Sequence, residues 1–306
     1  MTTLTKRPWY MFYPLTGMIL LCIVWGGYWY FAFTKTQEIT AIQRQELATQ
    51  GLQLQCDHES WGGFPFRFEF QCVGMTLSYK GSVLKTGKMQ AVAQAYNPLH
   101  ILLLVNGPTS VARNDVSIAT ATHDDALISI TLDTIGEWDV SSDVAHVKAP
   151  QLFSSASLKL FARKKSGKID FAGNSDGLGL IAPNNLQIPL DHAEFLARTN
   201  DSASLDVSAL KISSGNVNFE GQGKITLDAN HFLAGKLSTQ TNDIDKLLKL
   251  ISPLFEMTEK DQAAIKSLLA TQGNVLNSPS QKADFTARDG GLYWGPFKLT
   301  DLEPLY

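Results

Sequence analysis

Residues 8–34 form a run of 27 without a single charged side chain, and ten of the chain's aromatic rings (16 Phe, 8 Tyr and 6 Trp in all) crowd into residues 9–33. A helix rises about 1.5 Å per residue, so the stretch from Trp9 to Trp29 reaches about 30 Å, the thickness of a bilayer's hydrocarbon core. Trp9, Tyr10, Phe12 and Tyr13 stand at one end; Trp25, Tyr28, Trp29, Tyr30, Phe31 and Phe33 stand at the other; Leu15, Met18, Ile19, Leu20, Leu21, Ile23 and Val24 fill the centre. Amphipathic rings at both interfaces around an aliphatic middle are the pattern of a membrane-spanning helix. A buried helix of a soluble domain rarely runs so far without a charge. A cleaved signal peptide is the rival reading, but its apolar region is shorter and leads into a small-x-small site. Here the run leads into Tyr28-Trp29-Tyr30-Phe31-Ala32-Phe33, so the segment is expected to stay as an anchor.

Lys6 and Arg7 precede the run and no acid does. The positive-inside rule then keeps the N-terminus in the cytoplasm and carries everything after Phe33 across the membrane. The cysteines agree with export. Cys22 lies inside the apolar run, leaving Cys56 and Cys72 as one pair. In an oxidising compartment a disulfide is the first reading; free thiols and a metal site are the alternatives, the latter short of ligands with His58 the only nearby imidazole.

Past the anchor, residues 35–50 read as a helical stalk, with a weak apolar face of Ile39, Ile42 and Leu47 and a stop at Gly51. The period then changes to two. Phe64, Phe66, Phe68, Phe70 and Cys72 share one face while Arg67, Glu69 and Gln71 point the other way. Pairing Cys56 directly with Cys72 in a hairpin sets Ser60 opposite Phe68, with Gly62, Gly63 and Pro65 in the turn. Strand-like alternation recurs at residues 75–79, 111–121, 126–132, 156–161, 168–171, 205–212, 217–219, 224–227 and 233–238. Turns are expected at Ser166-Gly167, Gly173-Asn174, Ser214-Gly215-Asn216, Gly221-Gln222-Gly223 and Asp228-Ala229-Asn230. Two late helices break the pattern: residues 244–251, capped by Asn242 or Asp243, and residues 259–271, opened by Thr258 with Asp261 and striped by Ile265, Leu268 and Leu269. The expected architecture is mainly β with minor α. It comprises a tail (1–8), a transmembrane helix (9–33), a stalk (35–50) and a β-rich domain (51–306) whose curved antiparallel meander forms a groove with a few helices packed on it.

A search for chemistry finds no phosphate loop, nucleophile elbow, dinucleotide fingerprint or zinc-binding His spacing. Asp191-His192-x-Glu194 and His123-Asp124-Asp125 are the densest polar triplets, and strand ends and turns produce such triplets routinely. No catalytic residue, metal or cofactor is therefore expected, and the chain reads as a non-enzyme. Net charge is −3 and no basic cluster exceeds Arg163-Lys164-Lys165, which excludes nucleic acid as the expected partner. The Gly-Phe-Pro-Phe-Arg run has two readings. Trp61, Phe64 and Phe66 form an apolar lip toward lipid or a partner, with Arg67 reaching a phosphate; or, more simply, the rings are buried under the sheet and Arg67 pairs with Glu69 or Asp57.

These residues carry a resemblance. The anchor, Gly63-Phe64-Pro65-Phe66-Arg67, Ala95-Tyr96-Asn97-Pro98-Leu99-His100 leading to Gly107-Pro108, Gly221-x-Gly223-x-Ile225-x-Leu227 with Gly235-x-Leu237, and Asp289-Gly290-Gly291-Leu292 with Gly295-Pro296 and Pro304-Leu305 are together similar to a family of proteobacterial envelope proteins, domain of unknown function 2125. The second half also resembles the AsmA-like envelope proteins. That likeness implies a sheet anchored in a bacterial inner membrane, with the bulk of the chain in the periplasm, curled into an apolar groove and taking part in lipid traffic or envelope maintenance. The expected partners are the membrane itself and a lipid or other hydrophobic ligand. A structural module docking an envelope protein is the alternative.

Overall fold

The computed structural model describes residues 12–201, 204–271 and 281–304. Trp9 and Tyr10, expected at the first interface, lie outside them. The apolar run and the expected stalk form one uninterrupted helix, α1 (Tyr13–Thr49), whose 37 residues make it about 55 Å long. It is long and apolar enough to cross a membrane. Its last third is helical as expected, but it lies against the sheet, with Arg44 donating to Glu59 (2.8 Å) and stacked over Phe70. The residues facing the sheet are Trp25, Trp29, Phe33, Thr36, Thr40 and Arg44, one stripe at helical spacing. Ile39, Ile42 and Leu47, the face expected from hydropathy, are exposed. An aromatic and polar stripe won because the sheet offers that helix backbone carbonyls and rings.

Among the described residues the rest is one antiparallel sheet of eighteen strands. They are β1 (Leu52–Gln55), β2 (His58–Gly62), β3 (Arg67–Tyr79), β4 (Ser82–Gln94), β5 (Asn97–Val105), β6 (Thr109–Arg113), β7 (Val116–Ala121), β8 (Ala126–Leu132) and β9 (Trp138–Ala149). There follow β10 (Phe153–Lys165), β11 (Lys168–Ile181), β12 (Gln187–Asp201), β13 (Ser204–Ser214), β14 (Val217–Leu227) and β15 (Leu233–Thr241). After helices α2 (Ile244–Ile251) and α3 (Glu259–Thr271) the sheet ends in β16 (Gln281–Arg288), β17 (Gly291–Trp294) and β18 (Phe297–Asp301). From β8 to β18 each strand pairs with the next. In the first half, β1 and β2 both pair with β3, β5 and β6 both pair with β4, and β8 and β7 lie beside them. Each of these couples is one long strand broken in the middle, so the whole sheet is a simple meander.

The breaks fall on one transverse line. It runs through Cys56 and Asp57, Gly74 opposite Gly87, the residues 106–108 between β5 and β6, and His123. It continues through His146 opposite Ala156, then Gly177 opposite Asp191, where the ladders skip a pair. Gly74, His146 and Gly177 have positive φ along it (63°, 50° and 59°). Bulges bend strands and increase twist, so a row of them creases the sheet. At Gly74 only glycine fits, since a Cβ would stand 1.9 Å from Asp57 Oδ2.

This crease explains a register correction. Cys56 and Cys72 are bonded, 5.4 Å apart at Cα, but Cys56 sits in the break between β1 and β2. Ser60 consequently faces Gln71, and Trp61 faces Phe70, in place of the expected Ser60 to Phe68 pairing. Two expected turns are strand interiors. Gly223 is where the backbones of β14 and β15 approach so closely that a Cβ would meet Lys236 O at 2.1 Å, and Gly173 lies under the ring of Phe195. Conversely, residues 111–121 are two strands, β6 and β7, reversing through Asn114 and Asp115, both with positive φ. Both late helices stand where expected. Asp243 caps α2 by accepting from Lys246 N (3.0 Å), and Thr258 and Asp261 bond reciprocally at the start of α3.

Helices cover the two flanks of a single sheet face. At one flank α1 packs on Phe68 and Phe70, beside the disulfide. At the other, Ile244, Leu247 and Leu248 of α2 and Ile265 of α3 pack on Val217, Phe219, Phe285 and Trp294, while Leu250 and Leu254 reach Leu190 and Ile212. The side chains of Leu268 and Leu269 are outside the described residues.

Candidate functional site

Two features of this architecture are unaccounted for by folding alone: the turn between β2 and β3, and the part of the helix-bearing face that no helix covers.

The turn is built by backbone demands. Gly63 has φ of 106°, and a Cβ there would lie 2.5 Å from Arg67 O; Arg67 N donates to Gly63 O (3.0 Å), and the Phe64-Pro65 peptide is cis. The second half of the helix's aromatic belt grips it. Trp25 Nε1 donates to Pro65 O (2.9 Å), Trp29 Nε1 to Arg67 O (3.1 Å), and Tyr28 Oη to Ala95 O (3.3 Å) in the neighbouring turn. Trp29, only 7% exposed, meets Phe64 edge-on at 5.1 Å and lies near Phe68 at 6.0 Å and Phe33 at 4.6 Å, while Trp25 lies 6.2 Å from Phe66. Trp29 is thus buried and Trp25 half-buried, and each indole satisfies its N–H on a carbonyl of the turn.

Phe64 and Phe66 are not under the sheet. Each is 64% exposed, because the turn projects beyond the strand ends and one edge of each ring is all the helix covers. Trp61 is half-buried against Phe70 (4.8 Å) and donates to Glu59. Arg67 pairs with Glu69 (3.1 Å) and keeps more than half its side chain exposed; Asp57 is held at the crease instead. Trp61, Phe64, Phe66 and Arg67 are therefore one cluster, gathered beside Trp25, Tyr28 and Trp29. The Trp25, Trp29, Phe33 spacing was visible in the sequence, but a belt facing lipid and a belt gripping a turn have the same spacing.

The open part of the face runs from β5 to β13. Cross-strand partners put Leu103, Ile128, Ser142, Leu160, Gly173, Phe195 and Leu210 in one row. Ile101, Ile130, Val140, Ala162, Phe171 and Ala197 make the next. Among the described residues no helix lies over these rows. Leu160 is 42% and Phe195 38% exposed, and most of the others are half-buried only by their neighbours. A sheet face of this width left apolar and uncovered leaves in water an area whose burial is worth about 25 cal/mol per Å².

The opposite face carries an internally satisfied polar ladder, with Leu102, Leu127, Phe161 and Leu196 exposed beside it. Asp139, Arg163, Asp170, Arg198 and Asp206 alternate in charge across β9 to β13, and Arg163 bonds Asp139 while Arg198 bonds Asp170. Arg198 beside Asp170 holds that carboxyl below its usual range, and the carboxylates raise both guanidinium groups. This ladder floors a cleft of about 880 Å³ with Phe161 and Leu196. The polar triplets do not converge. His192 lies 2.7 Å from Asp176, Asp191 accepts from Gly215 N, and Glu194 faces Lys211. His123 lies 2.9 Å from Thr109, Asp124 pairs with His146, and Asp125 accepts from Asn106. No group of three or more His, Cys, Asp or Glu side chains fit to hold a metal occurs among the described residues.

Two stretches, residues 29–187 and 154–303, match the model of a family described as an uncharacterized protein conserved in bacteria, domain of unknown function 2125. The chain belongs to that family. The matched stretches begin at Trp29 and take in the docked turns of α1, the lip, the creased meander and the late helices. No curated protein and no solved structure matches the chain.

Proposed function

We propose that this is a non-enzymatic envelope protein, held in the bacterial inner membrane by the apolar first part of α1 ahead of its docked turns, whose periplasmic sheet receives lipid acyl chains on its uncovered face in the manner of an AsmA-like groove. The observation that carries the reading is that open apolar floor between α1 on one flank and α2 and α3 on the other, with Leu160 and Phe195 exposed at its centre. Acyl chains suit it because it is broad, apolar and free of converging polar groups that would select a shaped metabolite.

Retention of the anchor is supported by packing. Cutting α1 between Trp29 and Phe33, where the apolar run ends, would strip Trp25 and Trp29 from the domain and leave the carbonyls of Pro65 and Arg67 without their donors. The bonded Cys56 and Cys72 support an oxidising compartment, and Lys6 with Arg7 ahead of the run supports a cytoplasmic N-terminus. Native mass spectrometry of the full-length protein extracted in mild detergent tests the reading. Retained phospholipid-sized adducts are expected, and they are expected to fall away in the Leu160→Asp, Phe195→Asp double variant, whose changes are at solvent-accessible positions. A bare protein mass for the unaltered chain under conditions that keep it folded would overturn it.

A further inference from the structure

Hairpins of a meander alternate between two ends of the sheet, and α1 fixes which end meets the bilayer. The helix passes the turn of residues 63–66 at Trp25 and Trp29 and then runs along β2 and β3 to Gly51, so its apolar first part projects beyond that turn. The turns of residues 95–96, 133–137 and 166–167 lie at the same end. They are contiguous: Ala95 N donates to Phe66 O (2.8 Å), His100, just past the turn of residues 95–96, pairs with Thr131, Lys164 pairs with Trp138 across the next ladder, and Ser166 N donates to Glu137 (3.0 Å).

What these turns carry changes along the row. Phe64 and Phe66 lead, followed by Tyr96 and Leu99, all exposed, and then Ile135 at 75% exposure. The next hairpin carries Lys164, Lys165 and Lys168, all exposed, while the nearby acids are occupied: Asp133 accepts from Thr134, Glu137 from Ser166, and Asp139 from Arg163. Exposed rings and aliphatics beside exposed lysines that form no ion pair among the described residues, Lys168 acting only at longer range on Asp170, match, at the level where a spanning helix leaves the hydrocarbon, the interfacial zone of a bilayer with anionic headgroups.

We infer that this row of turns is a second membrane-contact surface, with Phe64, Phe66, Tyr96 and Ile135 seated in the interface and Lys164, Lys165 and Lys168 on anionic headgroups, so that the strands stand upright on the bilayer beside the anchor. The inference rests on α1 being a membrane span, but not on the sheet binding lipid on its open face. An environment-sensitive fluorophore tests it, placed in the full chain at Ile135→Cys or, as the control at the opposite end, at Leu186→Cys, both in a Cys22→Ser background. The proteins are reconstituted in phosphatidylcholine vesicles with or without one quarter phosphatidylglycerol, part of the lipid carrying brominated chains.

The probe at position 135 is expected to shift to the blue and to be quenched several-fold more than the probe at 186. Changing all three lysines to glutamine, or raising the salt, is expected to lessen that difference only where phosphatidylglycerol is present. Equal quenching at 135 and 186, in protein that floats with the vesicles, overturns the contact while leaving the anchor standing. Quenching at 135 that is indifferent to anionic lipid overturns the headgroup part. Lipid retention by native mass spectrometry is read separately, so failure here and failure of the groove are distinguishable.

Discussion

Replacing Trp29 by alanine removes the one buried side chain, among the described residues, that joins α1 to the sheet. A buried tryptophan withdraws about 200 Å² from water, which at about 25 cal/mol per Å² is about 5 kcal/mol as an upper bound. Measured truncations of this kind cost about 3–5 kcal/mol once partial collapse is allowed. The lost N–H bond to Arg67 O is part of the same deficit and is worth about 1 kcal/mol, so Trp29→Phe should cost near that smaller figure. The loss is local, because Phe64, Phe68 and Phe33 touch Trp29 while the disulfide and the rest of β3 hold the strand in place. Hydrogen exchange of the amides of Arg67 and Ala95, which bond Gly63 O and Phe66 O, therefore reports it directly. If opening of the turn is limited by release of Trp29, a deficit of about 3 kcal/mol speeds their exchange roughly a hundredfold, since about 1.4 kcal/mol is tenfold. The far helices α2 and α3 should be unchanged. Exchange at residues 62–68 within about threefold of the unaltered protein would refute the reasoning, because an undiminished turn does not depend on the helix.

Further outcomes follow from the same contacts. Alkylation without reductant should modify only Cys22, and replacing Cys56 and Cys72 by serine should lower stability by about 3 kcal/mol in chemical denaturation, from the loop of about 17 residues they close. Gly223→Ala should cost at least about 1–3 kcal/mol because its Cβ meets Lys236 O, whereas Gly167→Ala, with open space around its Cβ, suffers only the strain of its positive φ; comparing their thermal midpoints checks this. Asp170 titrates below its usual value because Arg198 donates to it, so its stabilisation is present above the unfolded carboxylate range, near pH 4, and is lost as pH falls through the lower folded value. Urea midpoints of Asp170→Asn and the unaltered protein should accordingly converge in acid and differ at neutral pH.

Elements with strong local signals were legible from the chain. The periodicity and caps of residues 244–251 and 259–271 gave both late helices their observed limits, since Asp243 and Asp261 act through their own neighbours. Hidden from sequence were features set by distant partners. Gly173 and Gly223 resemble turn residues until Phe195 and Lys236 are brought against them, and Asn114-Asp115 reads as two polar strand positions until both adopt positive φ. The crease is legible only when Gly74, Gly87, His146 and Gly177 are aligned across strands. For the site, the lip residues stood out by composition, but burial depends on how far the turn projects past the sheet. Alternation identified the apolar face; whether a helix covers it depends on where α1, α2 and α3 dock.

The central claim is that the floor around Leu160 and Phe195 holds lipid. A photoreactive phenylalanine analogue at position 195, activated in living cells, interrogates that floor at its most exposed ring. The account predicts a crosslinked product heavier than the protein by the mass of a phospholipid and lost when the same analogue is placed at Lys211 on the polar face. A product dominated by one protein partner, or equal lipid crosslinking from both faces, would contradict it.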